Sequence, residues 1–147
     1  MSSLRALQQP PPYADYLHLV VLAEAQRLEA RWLRPVSSAE YRASYEALLA
    51  EAEAAACPYW LVDIRRRSSP TAADGRWLIN EFSPLVPARL GTAVFMGTLF
   101  PPGFVEPAAP AHPIVPNAYQ PVPNLLVRNF SDEPALLKWL RRCQLGR

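Results

Sequence analysis

At 147 residues, with 50% hydrophobic and 19% charged side chains, the chain has the size and composition of one globular domain, which excludes the disordered class. A formal net charge of +2 is too small to point to nucleic acid or to an anionic membrane surface through bulk electrostatics. No apolar run approaches the roughly 20 residues of a membrane span, and Met1 to Gln9 lacks the apolar core of a signal peptide, so a cytoplasmic location is expected.

The two cysteines, Cys57 and Cys143, are far apart and fall near the ends of two predicted helices, which reads as two reduced, packed thiols. The 17 prolines fall mainly at Pro10 to Pro12 and between Pro101 and Pro123. They divide the chain into a flexible N-terminal arm over 1–13 and a single domain over 14–147, with a proline-rich loop at 100–123.

In chain order, Tyr16 to Leu22 is rich in β-branched and large apolar residues and predicts a strand. Arg27 to Trp32 alternates, with Leu28, Ala30 and Trp32 on one face and Arg27, Glu29 and Arg31 on the other. The short link between the two predicts a hairpin, although no glycine is present to favour the turn. Ser37-Ser38-Ala39-Glu40 has the spacing of a capping box, with Val36 and Tyr41 placed for a hydrophobic staple. A helix follows with Tyr41, Tyr45, Leu48, Leu49 and Ala52 on one face, ending near Cys57-Pro58.

Tyr59 to Ile64 is a continuous apolar run interrupted only by Asp63, the pattern of a strand buried on both faces. A second helix is predicted over Thr71 to Phe82, capped by Ser69 or Thr71 and stopped by Pro84 and Pro87. Thr92 to Phe100 reads as another buried strand. Phe100 to Pro123 fits no regular element, and its prolines favour extended segments. Leu125 to Phe130 predicts a short edge strand. Ser131-Asp132-Glu133 then caps a last helix burying Ala135, Leu136, Trp139, Leu140 and Cys143. The expected fold is α/β, a mixed four- to five-stranded sheet with a parallel centre covered by three helices, in the order β-β-α-β-α-β-β-α.

An Arg31-Trp32 strand, the helix start Ser37-Ser-Ala-Glu-Tyr-Arg42, the run Trp60-Leu-Val-Asp-Ile-Arg-Arg-Arg67, and Arg76-Trp-Leu-Ile-Asn-Glu-Phe82 resemble the bacterial STAS/SEC14-type, SpoIIAA-like small domains. The closing Asn129-Phe-Ser-Asp-Glu-Pro-Ala-Leu-Leu-Lys-Trp-Leu140 resembles the phenylalanine-to-acidic-to-tryptophan ending of that group. The resemblance spans roughly Tyr16 to Leu140. It implies a sheet covered by helices and a role in protein interaction or ligand sensing rather than catalysis. Antagonists of that group carry a phosphorylated serine in an Asp-Ser-Ser-Gly-like stretch after the central strand. Here Asp63 is followed by Ile-Arg-Arg-Arg-Ser-Ser-Pro70, so Ser68 and Ser69 are displaced and no glycine follows.

The residues themselves offer one anion-binding candidate. Asp63, Arg65, Arg66, Arg67 and Ser69 lie at the expected carboxyl end of the central strand, where open α/β sheets bind ligands and arginine forks hold carboxylate or phosphate. The competing reading pairs Asp63 with one arginine and leaves the others solvated. Phe100, Phe104 and Tyr119 in the proline-rich loop are candidates to anchor a protein partner or a twin subunit, or to lie as a flap on their own sheet. His18 and His112 have no neighbour at ligand spacing, so no metal site is expected. No phosphate loop, dinucleotide fingerprint or hydrolase motif is present, so neither a cofactor nor a catalytic residue is assigned. The arginines lack the interleaved aromatics of a nucleic-acid interface. The expected function is a non-catalytic interaction or regulatory module acting as a homodimer. The alternative is a carrier or sensor of a small anionic or lipid-like ligand held near the end of the central strand.

Overall fold

The structure, a computed structural model, describes residues 10–103 and 118–146. It is a single α/β domain built on one six-stranded mixed sheet. β1 (Leu17–Leu22) and β2 (Arg27–Trp32) form the predicted antiparallel hairpin. In place of a glycine, Gln26 takes the left-handed conformation at φ 51° and donates its amide to Ala23 at 3.1 Å.

The helix α1 (Ser38–Ala55) begins at the capping box, with Ser37 Oγ accepting from the Glu40 amide at 3.1 Å and Glu40 accepting from the Ser37 amide at 2.9 Å. A cap of this kind contributes about 1 kcal/mol. Tyr41, Ser44, Tyr45, Leu48, Leu49 and Ala52 make its buried face. β3 (Tyr59–Asp63) follows, and every residue in it is buried, as a strand covered on both faces requires.

The segment after β3 departs from the expected single helix. α2 (Ala72–Trp77) starts where Thr71 Oγ1 accepts from the Asp74 amide at 3.1 Å, then widens into a π-helical turn over Leu78–Phe82. The Ser83 amide and hydroxyl both donate to the Leu78 carbonyl at 2.8 Å and close that turn. Pro84 and Pro87 do not end the helical path. α3 (Leu85–Leu90) begins directly at Pro84, because a proline in a first helical turn has no intrahelical donor to lose.

β4 (Val94–Leu99) is followed, beyond the stretch outside the described residues, by β5 (Tyr119–Val122), β6 (Leu125–Phe130) and α4 (Glu133–Leu145). The strand order is β1-β2-β3-β4-β6-β5, with β2, β3, β4 and β6 parallel and the two outer strands antiparallel to their neighbours. Two expectations are corrected here. Leu125 to Phe130 is an inner strand between β4 and β5, and the true edge is β5, within the stretch where no regular element was expected. An edge strand tolerates Pro121 because the missing amide is not needed by a further neighbour.

The helix α1 and the α2–π–α3 segment cover one face of the sheet, and α4 covers the β3–β4–β6 part of the other. The first face buries Leu28, Trp32, Trp60, Val62 and Met96 against Tyr41, Tyr45, Leu48 and Phe82. The second buries Leu61, Phe95, Leu99 and Leu126 against Leu136, Trp139 and Leu140. The four tryptophans are thus packed in or against these two layers, as their periodic positions predict. Cys57 and Cys143 are free and buried, and burial pushes the Cys143 thiol up to about 12. Among the described residues no helix is long and apolar enough to cross a membrane, and no cluster of His, Cys, Asp or Glu is placed to hold a metal ion.

Candidate ligand-binding site

The five residues proposed as one anion site part company at the end of β3. Asp63 points to the α4 face, only 6% exposed, and its carboxylate is already surrounded. Arg65 reaches it with Nε at 3.0 Å, Nη2 at 2.9 Å and its own amide at 3.1 Å, and Arg31 adds Nη1 at 3.0 Å. Arg31 also holds Glu133 at 2.8 and 2.9 Å, so the network joins β2, β3 and the first turn of α4. Burial pushes the Asp63 carboxyl up, but the hydrogen bonds from Arg65 and Arg31 outweigh it and leave the group below its ordinary value. The Arg31 hydrogen bonds likewise hold Glu133 down. Arg66 and Ser69 are exposed.

Arg67 goes the other way. The turn that donates the Arg67 amide to the Ile64 carbonyl at 3.2 Å carries its side chain to the opposite face of the sheet, against Tyr41 and Tyr45 in the first half of α1. There its guanidinium lies 4.6 Å from the Trp32 ring, 4.8 Å from Tyr41 and 5.6 Å from Tyr45, with Nη1 donating to the Tyr45 hydroxyl at 2.8 Å. Contacts of this kind stabilise a cation by about 0.5–2 kcal/mol each. Unlike Arg31, Arg34, Arg42, Arg65 and Arg89, each paired with a carboxylate, Arg67 makes no ion pair among the described residues.

A cavity of about 270 Å³ opens beside this cage, above the carboxyl ends of β3, β4 and β6. Its walls are largely apolar, with Ile64, Met96 and Val127 from the sheet and Leu78, Ile79 and Phe82 from the π-helical turn. Turns of that kind are frequent at functional positions, where the extra residue re-aims the side chains. Polar side chains in the lining include Arg67, Tyr41 and Tyr45 at one end and Thr98 and Asn129 on the strands, with Tyr119 on β5 and Ser83, whose hydroxyl is taken up by the Leu78 carbonyl. Three buried side-chain nitrogen or oxygen atoms have no hydrogen-bond partner among the described residues, and two of them, Tyr41 Oη and Arg67 Nε, belong to this wall. Burial pushes the Tyr41 phenol well up, with Tyr45 adding to the effect and the Arg67 charge opposing it, so it is a neutral hydroxyl at any physiological pH.

Phe100 and Tyr119, candidates either to anchor a partner or to lie as a flap on their own sheet, both line this cavity. Phe104 lies outside the described residues. Tyr41, Tyr45, Thr98 and Asn129 were not among the sequence-derived site residues. The signal available for the first two was a pair of tyrosines four apart on an otherwise aliphatic helix face, since buried tyrosine hydroxyls ordinarily require a partner.

The fold and the cavity together define a single-domain α/β protein with an apolar, arginine-ended pocket at the carboxyl edge of its parallel strands. No protein-family model, curated protein or solved structure matches the chain.

Proposed function

We propose that this protein binds a small amphipathic anion in the Arg67 cavity and acts without catalysis, as a sensor or carrier of that molecule. The observation that carries the reading is the Arg67 guanidinium, half-buried beside an apolar cavity, with no carboxylate partner among the described residues and held in place by aromatic rings and the Tyr45 hydroxyl. Arginine holds anions through charge-assisted hydrogen bonds, and an anionic head entering here supplies the counter-charge that the described residues do not. The volume, just under the ~300 Å³ at which most ligand sites begin, suits a compact ligand and not a long-chain lipid. The described lining contains no Asp, Glu, His or Cys, so its serine, threonine and tyrosine hydroxyls have no ordinary general base to activate them, which favours binding over turnover.

The test is thermal denaturation in the presence of matched alkyl and arylalkyl carboxylates, phosphates and alcohols, with native mass spectrometry of the purified protein. Stabilisation by the anions, lost in Arg67→Gln and kept in Arg66→Gln, is the expected result. Equal stabilisation by acid and alcohol, or no stabilisation across the series, rejects the reading.

One observation favours a second reading, a protein-interaction module of STAS/SpoIIAA-like type that pairs with itself. β1 is a six-residue outer strand without proline or lysine, and Val21 on it is 36% exposed, whereas the opposite edge is only four residues long and carries Pro121. An unprotected edge is a template for strand addition. A dimeric mass that reverts to monomer in Val20→Lys supports this reading, and a monomeric wild-type protein removes it.

A further inference from the structure

We infer that the ligand carries, besides its anionic head, a neutral hydrogen-bonding group at its far end, which places it among terminally oxygenated medium-chain or arylalkyl carboxylates. The inference rests on the reading of the cavity as a binding site. It comes from the side of the cavity away from Arg67. Thr98 of β4 and Asn129 of β6 are direct neighbours in the parallel register, and both line the cavity. Their side chains are part-buried and make no hydrogen bond among the described residues. On the same face the sheet around them is apolar, with Met96 and Val127 paired two residues before them.

A pocket meant for a plain hydrocarbon tail has no use for an amide there. Desolvating an amide and a hydroxyl without compensation opposes binding, by roughly 1–3 kcal/mol per group, and a purely alkyl tail would impose that penalty on every binding event. A hydroxyl, carbonyl or amide on the ligand removes it, because asparagine offers a donor and an acceptor and threonine offers both in one atom.

The spacing sets the length. Arg67 stacks over Trp32, the last residue of β2, while Asn129 lies in β6, three strands along. At about 4.8 Å per strand the two strands lie about 14 Å apart, and side chains reaching inward from both ends leave a span suited to a chain such as octanoate with a hydroxyl at its terminal carbon. A phosphate head is disfavoured by the same cage, which presents one guanidinium and two phenols and no second cation in the described lining.

The experiment compares octanoate, its terminally hydroxylated analogue and the corresponding diol by isothermal titration calorimetry on the wild type and on Arg67→Gln, Asn129→Leu and Thr98→Val. Melting curves check that each variant is folded. The hydroxylated acid is expected to bind the wild type about tenfold more tightly than octanoate, the equivalent of one satisfied hydrogen bond. That preference should vanish in Asn129→Leu and shrink in Thr98→Val, which gives an independent answer if the leucine variant does not fold. The Arg67→Gln variant should weaken both acids and leave the diol unchanged. If the wild type binds the two acids equally, or the preference survives in both strand variants, the far-end group is wrong while the anion site stands. If neither acid binds the wild type, the anion site falls as well.

Discussion

Arg67 donates from Nη1 to the Tyr45 hydroxyl at 2.8 Å, and this one bond ties the loop after β3 to the middle of α1 across the mouth of the cavity. Tyr45 in turn stands edge-on to Tyr41 at 5.1 Å and packs on Trp32 at 5.2 Å and Phe82 at 5.3 Å. The cage is therefore held by β2, α1 and the π-helical turn at once, which fixes the position of the guanidinium.

Tyr45→Phe keeps the ring packing and removes only the acceptor. A hydrogen bond to a charged donor contributes about 1.5–3 kcal/mol, so urea unfolding should show a loss in that range with an unchanged slope. A loss below about 0.5 kcal/mol would mean that stacking alone holds Arg67 in place.

Gly97 in β4 lies directly beneath α4. A Cβ placed there would stand 2.6 Å from Leu136 Cγ, and Leu136 is fully buried with no open direction in which to move. Gly97→Ala should therefore destabilise the fold by about 1–3 kcal/mol through overpacking. In a Leu136→Ala background, where the obstructing atoms are gone, the same substitution should cost far less. Additive losses in that double-mutant cycle would rule out the close approach as the cause.

Acid should loosen the molecule in a defined window. The Arg34 guanidinium and the Ser37 amide hold the Glu40 carboxyl down to about 2 from an ordinary 4.5. Asp63 and Glu133 are lowered as well. A carboxyl whose folded value is depressed binds fewer protons in the folded state, so its stabilisation is complete above the unfolded value and is lost as pH falls through the folded one. Stability should hold from neutral pH to about pH 5, then decline steadily toward pH 2. Denaturant titrations across that range check it, and a flat profile between about pH 5 and 3 would contradict it. Asp63→Asn should make the decline shallower.

Local chemistry made much of this fold readable. The capping box at Ser37 and Glu40, the alternation of β2, the apolar run of β3 and the Asp132 cap of α4 all express contacts within a few residues of each other, where spacing determines geometry. The π-helical turn and the helix beyond Pro84 were less readable, because a helical pattern does not show where packing inserts an extra residue. β5 escaped because Pro121 suppresses the strand signal that its hydrogen-bonded partner β6 restores.

The sequence by itself determined the class of the domain and the parallel centre of its sheet, and it marked the strand end at Asp63 to Arg67 as a candidate site. Only the tertiary structure decided that these arginines serve opposite faces. Arg65 is spent on Asp63, and Arg67 is delivered to a cage whose other members, Trp32, Tyr41 and Tyr45, come from 22 to 35 positions earlier in the chain. The physical reason is that a strand's alternation assigns side chains to faces only until the strand ends. Past Asp63 the direction of each side chain is set by the turn and by what the neighbouring elements leave open for it, and a cavity is a property of several elements packed together.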